Sequence, residues 1–167
     1  MKNTAHISSD PEVKKLGDLI KDIRIAMLTT LTPENKLHST PLMTQEIDFD
    51  GDLWFLISKN STKIQDIQKN EDVSVSYASH GKYISITGTA ELLEDQEKVQ
   101  EVWHKAYEAW FPQGPQDPNI QLLRISADKA EYWEGHASPV YRMIEFVKIA
   151  TGKPANMGTH GTLDLKH

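Results

Sequence analysis

Regular patterning begins at Asp10-Pro11-Glu12, where an acid before a proline and a second acid after it suit the start of a helix. Val13, Leu16, Ile20 and Ile23 then recur at spacings of three and four, with Lys14, Lys15, Asp18 and Lys21 off that stripe. This predicts a helix with one core-facing side. Past Arg24 the period changes. The apolar run 25–30, the turn residues Thr32-Pro33-Glu34-Asn35 and the run 38–47 predict strand, turn and strand. Asp48-Phe49-Asp50-Gly51-Asp52 carries an Asp-Gly signal and predicts a hairpin into 53–57, whose unbroken apolar character suits a strand buried on both faces. Together these segments predict a three-stranded meander.

Residues 61–69 hold Ile64 and Ile67 three apart among polar neighbours, as in one short helix. Val73, Val75 and Tyr77 alternate with Ser74 and Ser76; beyond His80-Gly81, Ile84 and Ile86 alternate with Ser85 and Thr87. Both runs predict half-buried strands. After Leu93-Glu94-Asp95 a helix is predicted in which Val99, Val102, Trp103, Ala106, Tyr107 and Trp110 share a face, closed by Phe111-Pro112-Gln113-Gly114-Pro115. Two further strands are predicted at 120–133 and 141–149. The residues from Thr151-Gly152-Lys153-Pro154 onward are turn-forming and polar, which divides the chain into one domain over 1–150 and a tail over 151–167. Six or seven short strands, joined mostly by hairpins and interrupted by helices, predict a mainly β, α+β antiparallel barrel rather than a doubly wound sheet.

Composition then narrows the chemistry. A chain of 167 residues suits one core, and 38% hydrophobic against 25% charged residues excludes a disordered chain. A net charge of −6 and only three arginines, the scattered Arg24, Arg124 and Arg142, argue against a nucleic-acid partner. The chain has no cysteine, which removes disulfides, thiolate metal sites and thiol nucleophiles, so any redox role needs a borrowed cofactor. Neither a signal-peptide core nor an apolar run of bilayer-spanning length is visible; a cytoplasmic protein with no membrane partner is expected. The seven histidines are dispersed without metal-ligand spacing, and no carboxylate pair stands out for acid–base work, so no metal site and no catalytic residue is assigned.

The most informative stretch is 53–64, where a buried strand passes through polar residues into a helix start. Ser61, Thr62 and Lys63 would bring two hydroxyls and an ammonium to such a junction, which suits a phosphate. An ordinary cap accounts for the same residues, with Ser61 or Thr62 as N-cap and Thr62 with Gln65 as a capping box.

The run LWFLISKNSTKIQDIQKNEDVSVSY resembles the cofactor-phosphate segment of pyridoxamine-phosphate-oxidase-like flavoproteins. HSTPLM at 38–43 and YISITGTAELLEDQEKVQEVW at 83–103 are similar to that family's second strand and its later strand and helix. WFPQGPQDPNIQLLRISADKAEYW at 110–133 resembles a signature of the general stress protein 26 branch. The resemblance spans 13–149 and implies a split β-barrel that works as a homodimer, with FMN in grooves at the subunit interface. Thr62 and Lys63 then match phosphate positions, with Ser61 beside them. Ser39, Thr40, Pro41 and Leu42, with Leu56, Ile57 and Ser58, match strands flanking the ribityl chain and ring. Thr40 stands where the family commonly carries Arg, and Trp110 is the aromatic placed to reach a groove.

On these grounds the function expected is that of an FMN-binding oxidoreductase of unassigned substrate. The alternatives are a non-catalytic flavin-binding or stress-response protein and a cofactor-free interaction module. Pyridoxamine-phosphate oxidation is not expected, because the arginines that would hold a second phosphate are missing. Replacing Lys63 by Ala is expected to weaken FMN binding while leaving the apoprotein's stability nearly unchanged.

Overall fold

The computed structural model describes residues 10–135, 139–154 and 158–165. Chain order is α1 (Pro11–Ile20), β1 (Ile25–Leu31), β2 (Leu37–Met43), β3 (Asp52–Ser58), α2 (Lys63–Lys69), β4 (Asp72–Ser79), β5 (Lys82–Leu93), α3 (Gln96–Val102), β6 (Ile120–Glu134), α4 (Pro139–Ala150) and β7 (Thr159–Asp164). Two 3-10 turns, Lys105–Ala109 and Gly114–Gln116, lie between α3 and β6.

All pairings among the strands are antiparallel, in the order β2-β1-β4-β5-β6-β3, and β7 joins β6. The long β6 makes this possible by changing partners along one edge: 120–126 pair with β3, and 129–134 pair with β7. The product is a curled antiparallel sheet with flanking helices, the split-barrel α+β architecture.

Local chemistry explains the clearest elements. Asp10 caps α1 by accepting from the Glu12 amide at 2.8 Å, and Val13, Leu16, Leu19 and Ile20 are its buried side. His80 (φ 47°) and Gly81 (φ 80°) form the two-residue turn between β4 and β5, the left-handed pair that matches strand twist. In β3, Leu53, Phe55 and Ile57 enter the main core beneath α1 and α2. Trp54 and Leu56 face the other way, into a second cluster with Val99, Val102, Tyr107 and Phe111. The expected two-sided burial of this strand is therefore observed.

Four expectations are corrected. The meander does not form: β2 ends the sheet on one side, and β3 crosses to β6, because only there are both of its apolar faces covered. The Asp-Gly turn serves this crossing, with Gly51 at φ 116° and its carbonyl accepting from the Ala127 amide at 3.0 Å. The helix expected through Trp110 stops at Val102, where Trp103 turns extended (ψ 135°). That break lets Tyr107 and Phe111 bury while Trp110 stays 61% exposed. The strand expected at 141–149 is the helix α4, opened by Pro139. The Thr62–Gln65 capping box is also not formed, since Thr62 makes no side-chain cap; Ser61 Oγ instead accepts from the Lys63 amide at 3.2 Å. Within the stretch 151–167, β7 pairs with the end of β6.

Candidate functional site

A cavity of about 670 Å³ opens where β2, β3 and the segment following α3 meet. Its size lies within the roughly 300–1,000 Å³ typical of small-molecule clefts. Strand β2 contributes Pro41, Leu42 and Met43, and its place at the edge of the sheet is where a proline is tolerated. Strand β3 contributes Leu56, Ile57 and Ser58, Ser61 follows, and Trp110 stands at the mouth. Seven of the eleven residues named from the sequence therefore share one wall: Pro41, Leu42, Leu56, Ile57, Ser58, Ser61 and Trp110.

The other four lie outside that wall. The Ser39 hydroxyl hydrogen-bonds the Thr29 hydroxyl at 2.7 Å on the outer face of the sheet. Thr40 pairs with Leu28 across the β1–β2 ladder, and Thr62 is exposed. Lys63 is only 1% exposed. Its Nζ donates to Thr30 Oγ1 at 2.8 Å and to the His38 carbonyl, and Thr30 Oγ1 donates to Asp66 Oδ2 at 2.6 Å. Burial pushes the Lys63 ammonium below its ordinary pKa, with Asp66 pulling the other way. The lysine thus stands behind the wall, tying α2 to β1 and β2.

Sequence reasoning missed five lining residues: Ile25, Met43, Tyr107, Phe111 and Asn119. The Tyr107 hydroxyl donates to the Met43 carbonyl at 3.3 Å, and burial raises this phenol well above its ordinary value. Asn119 Nδ2 donates to Ser58 Oγ at 3.0 Å, so a small polar end forms between β3 and the start of β6. Tyr107 and Trp110 were visible as aromatics, but assigned to one helix face; Asn119 carried no signal at all.

The walls are thus mainly apolar and aromatic, with hydroxyl and amide groups gathered at one end. That arrangement fits a flat aromatic ligand with a polar extension, as a flavin is, better than it fits a small ion. Among the described residues no three His, Asp or Glu side chains are grouped to hold a metal, and no helix is long and apolar enough to cross a membrane.

Comparison with known proteins agrees with this fold. The family model described as "Pyridoxamine 5'-phosphate oxidase like" matches residues 11–156. Protein bli-3 of Neurospora crassa is 24% identical over 161 residues, covering 89% of this chain and 77% of that protein. Among solved structures, a general stress protein 26 from Jannaschia sp. CCS1 superposes with a TM-score of 0.71 at 23% identity, covering 90% of this chain and 96% of the other. The general stress FMN/FAD binding protein from Xanthomonas citri is 30% identical with a TM-score of 0.65, covering 75% of this chain and 90% of its own.

Proposed function

The chain belongs to the pyridoxamine 5'-phosphate oxidase-like family, and from that premise we propose that it is an FMN-binding oxidoreductase whose flavin lies at a homodimer interface. The observation that carries this reading is the convergence of β2, β3 and the Tyr107–Phe111 segment on one cavity of about 670 Å³. A relative 30% identical to it is described as an FMN/FAD binding protein. The ring is proposed to rest among Leu56, Tyr107 and Trp110. The phosphate side is Ser61 and Thr62, with Lys63 supplying charge from beneath rather than from the wall. Ser39, Thr40, Pro41, Leu42, Ile57 and Ser58 flank the remainder.

Bound FMN would supply hydride or electron transfer; the chain's own residues exclude water, orient the ring and bind the polar tail. The homodimer reading is supported by the mouth of the cavity, where Trp110 and Ile25 are 61% and 50% exposed in the single chain. The cytoplasm remains the proposed location, with no nucleic-acid or membrane partner. Oxidation of pyridoxamine phosphate is not part of the proposal, since Thr40 and the Arg-free segment 95–110 leave no fork-shaped cation for a second phosphate.

One observation favours a second reading, a flavin-holding stress protein without turnover. Among the described residues the cavity wall has no carboxylate, histidine or lysine to move a proton for a substrate. Titration of the apoprotein with FMN, FAD, riboflavin and a deazaflavin, followed by photoreduction and reoxidation with oxygen or a nicotinamide, separates the readings. Saturable FMN binding with reoxidation by an added acceptor supports the enzyme. Binding without such turnover supports the holder, and a colourless protein that fails to take up any flavin leaves the interaction module.

A further inference from the structure

A second cavity, of about 250 Å³, lies between α1 and the segment that follows β2, and shares no lining residue with the cavity of about 670 Å³. One wall is the side of α1 that carries Val13, Gly17 and Ile20. The other is the segment 44–49, in which Ile47 and Phe49 are half-buried while Glu46 and Asp48 are exposed. Gly17 keeps the helix side of the gap open, since a Cβ there would already touch the Phe49 Cβ at 3.5 Å. Side-chain hydrogen bonds fix the opposite wall. Thr44 Oγ1 donates to the Ile23 carbonyl at 2.6 Å; Gln45 Oε1 accepts from the Trp54 amide at 2.6 Å, and its Nε2 donates to the Ile47 carbonyl at 3.1 Å.

The floor is Tyr77, from the inward face of β4. Its ring packs in the main core and the residue is 3% exposed, yet its hydroxyl is hydrogen-bonded to no group among the described residues. Thr44 and Gln45, which line the same space, are satisfied by the bonds just given. Buried polar groups are nearly always paired, so a phenol left without a partner at the bottom of a cavity marks a place where a ligand supplies one. Burial also holds this phenol protonated well beyond the usual range, which makes it a donor there.

The surroundings decide what it would donate to. Val13, Ile20, Ile47 and Phe49 make the interior apolar, which penalises an ionised ligand. At the rim Lys14 and Lys21 both pair with Asp18, at 3.0 and 3.4 Å, and Glu46 and Asp48 add two more carboxylates, so no surplus of positive charge draws an anion. An apolar cavity of about 150 Å³ takes up benzene. The larger space here accommodates one ring with a short polar substituent.

We propose that this cavity is a second small-molecule site, for a neutral, ring-sized carbonyl compound whose oxygen accepts a hydrogen bond from the Tyr77 hydroxyl. It is separate from the flavin cavity and does not depend on the flavin reading.

Acetophenone, ethylbenzene and benzoate share one ring and differ in acceptor and charge, so they serve as probes. By ligand-detected NMR, acetophenone should bind the full chain saturably and at least about threefold more tightly than ethylbenzene. Benzoate should bind more weakly than acetophenone. Tyr77→Phe removes only the unpaired hydroxyl; it should leave the urea midpoint unchanged and reduce acetophenone to the affinity of ethylbenzene. Gly17→Met grows into the gap from the helix side and should abolish binding with Tyr77 intact. In protein labelled with 3-fluorotyrosine, the signal missing from Tyr77→Phe should shift during the titration, with or without saturating FMN. Absence of saturable binding overturns the proposal, as does equal acetophenone affinity in the parent chain and Tyr77→Phe. Tighter binding of benzoate than of acetophenone makes the lysines the ligand groups and overturns it too. A large loss of stability in Tyr77→Phe would show that the hydroxyl has a partner within the protein, with the same consequence. A chain that binds acetophenone at Tyr77 but takes up no FMN supports this site and removes the flavin reading.

Discussion

The Lys63 ammonium donates a 2.8 Å hydrogen bond to the Thr30 hydroxyl, which passes its own proton to Asp66 at 2.6 Å. A hydroxyl can accept from a buried cation with a lone pair and donate its single proton to a buried carboxylate, so Thr30 serves both charges at once. Thr30→Val keeps the shape but removes one hydrogen bond from each charge, leaving Lys63 only its bond to the His38 carbonyl. It is expected to cost about 2–4 kcal/mol, read as a lower urea midpoint. Lys63→Ala should cost a similar amount, which corrects the expectation that this residue affects cofactor binding alone.

The same burial has a pH signature. Lys63 has a folded pKa below its ordinary 10.5, so between those two values the unfolded chain holds more protons, and stability rises with pH there. Unfolding free energies measured just below pH 10.5 should climb more steeply in the parent protein than in Lys63→Met. Equal slopes would show that Lys63 is solvated in solution.

Tyr77 and Tyr107 behave oppositely. Burial raises both phenols well above 10, so their contribution is fully present below pH 10 and is lost as pH rises past it. Spectrophotometric titration should leave at least two of the five tyrosines protonated until the protein unfolds. Five tyrosines ionising before the loss of far-ultraviolet dichroism would contradict this packing.

Trp110 is 61% exposed and lines the cavity mouth. Trp110→Ala should therefore leave apoprotein stability within about 0.5 kcal/mol. It should weaken flavin binding roughly 3- to 10-fold, the equivalent of about 0.5–1.5 kcal/mol for a stacked ring. Fluorescence quenching on flavin titration reads the second effect, and urea unfolding the first.

Gly88 sits where the β5–β6 register shifts, and a Cβ there would meet the Ser126 carbonyl oxygen at 2.4 Å. Because that neighbour is backbone and cannot swing aside, Gly88→Ala is expected to destabilise by more than about 2 kcal/mol. Gly51→Ala meets nothing within 4 Å but stays strained at φ 116°, and serves as the milder comparison in the same melting experiment.

Periodicity along the chain determined the inward faces of the elements it identified correctly, because alternation and three-to-four spacing are local properties of a strand and a helix. It located the α1 stripe, the alternating faces of β4 and β5 and the two-sided burial of β3. Resemblance to a family singled out Pro41, Leu42, Leu56, Ile57, Ser58, Ser61 and Trp110, and the structure gathers these seven on one cavity wall. Only the tertiary structure decided that β3 pairs with β6 instead of β2, because the choice depends on which distant strand covers both of its faces. It likewise broke the expected helix at Trp103, so that Tyr107 and Phe111 bury and Trp110 does not. It also turned Lys63 inward: the residue matched by resemblance to a phosphate position becomes an interior strut when Thr30 arrives from another strand.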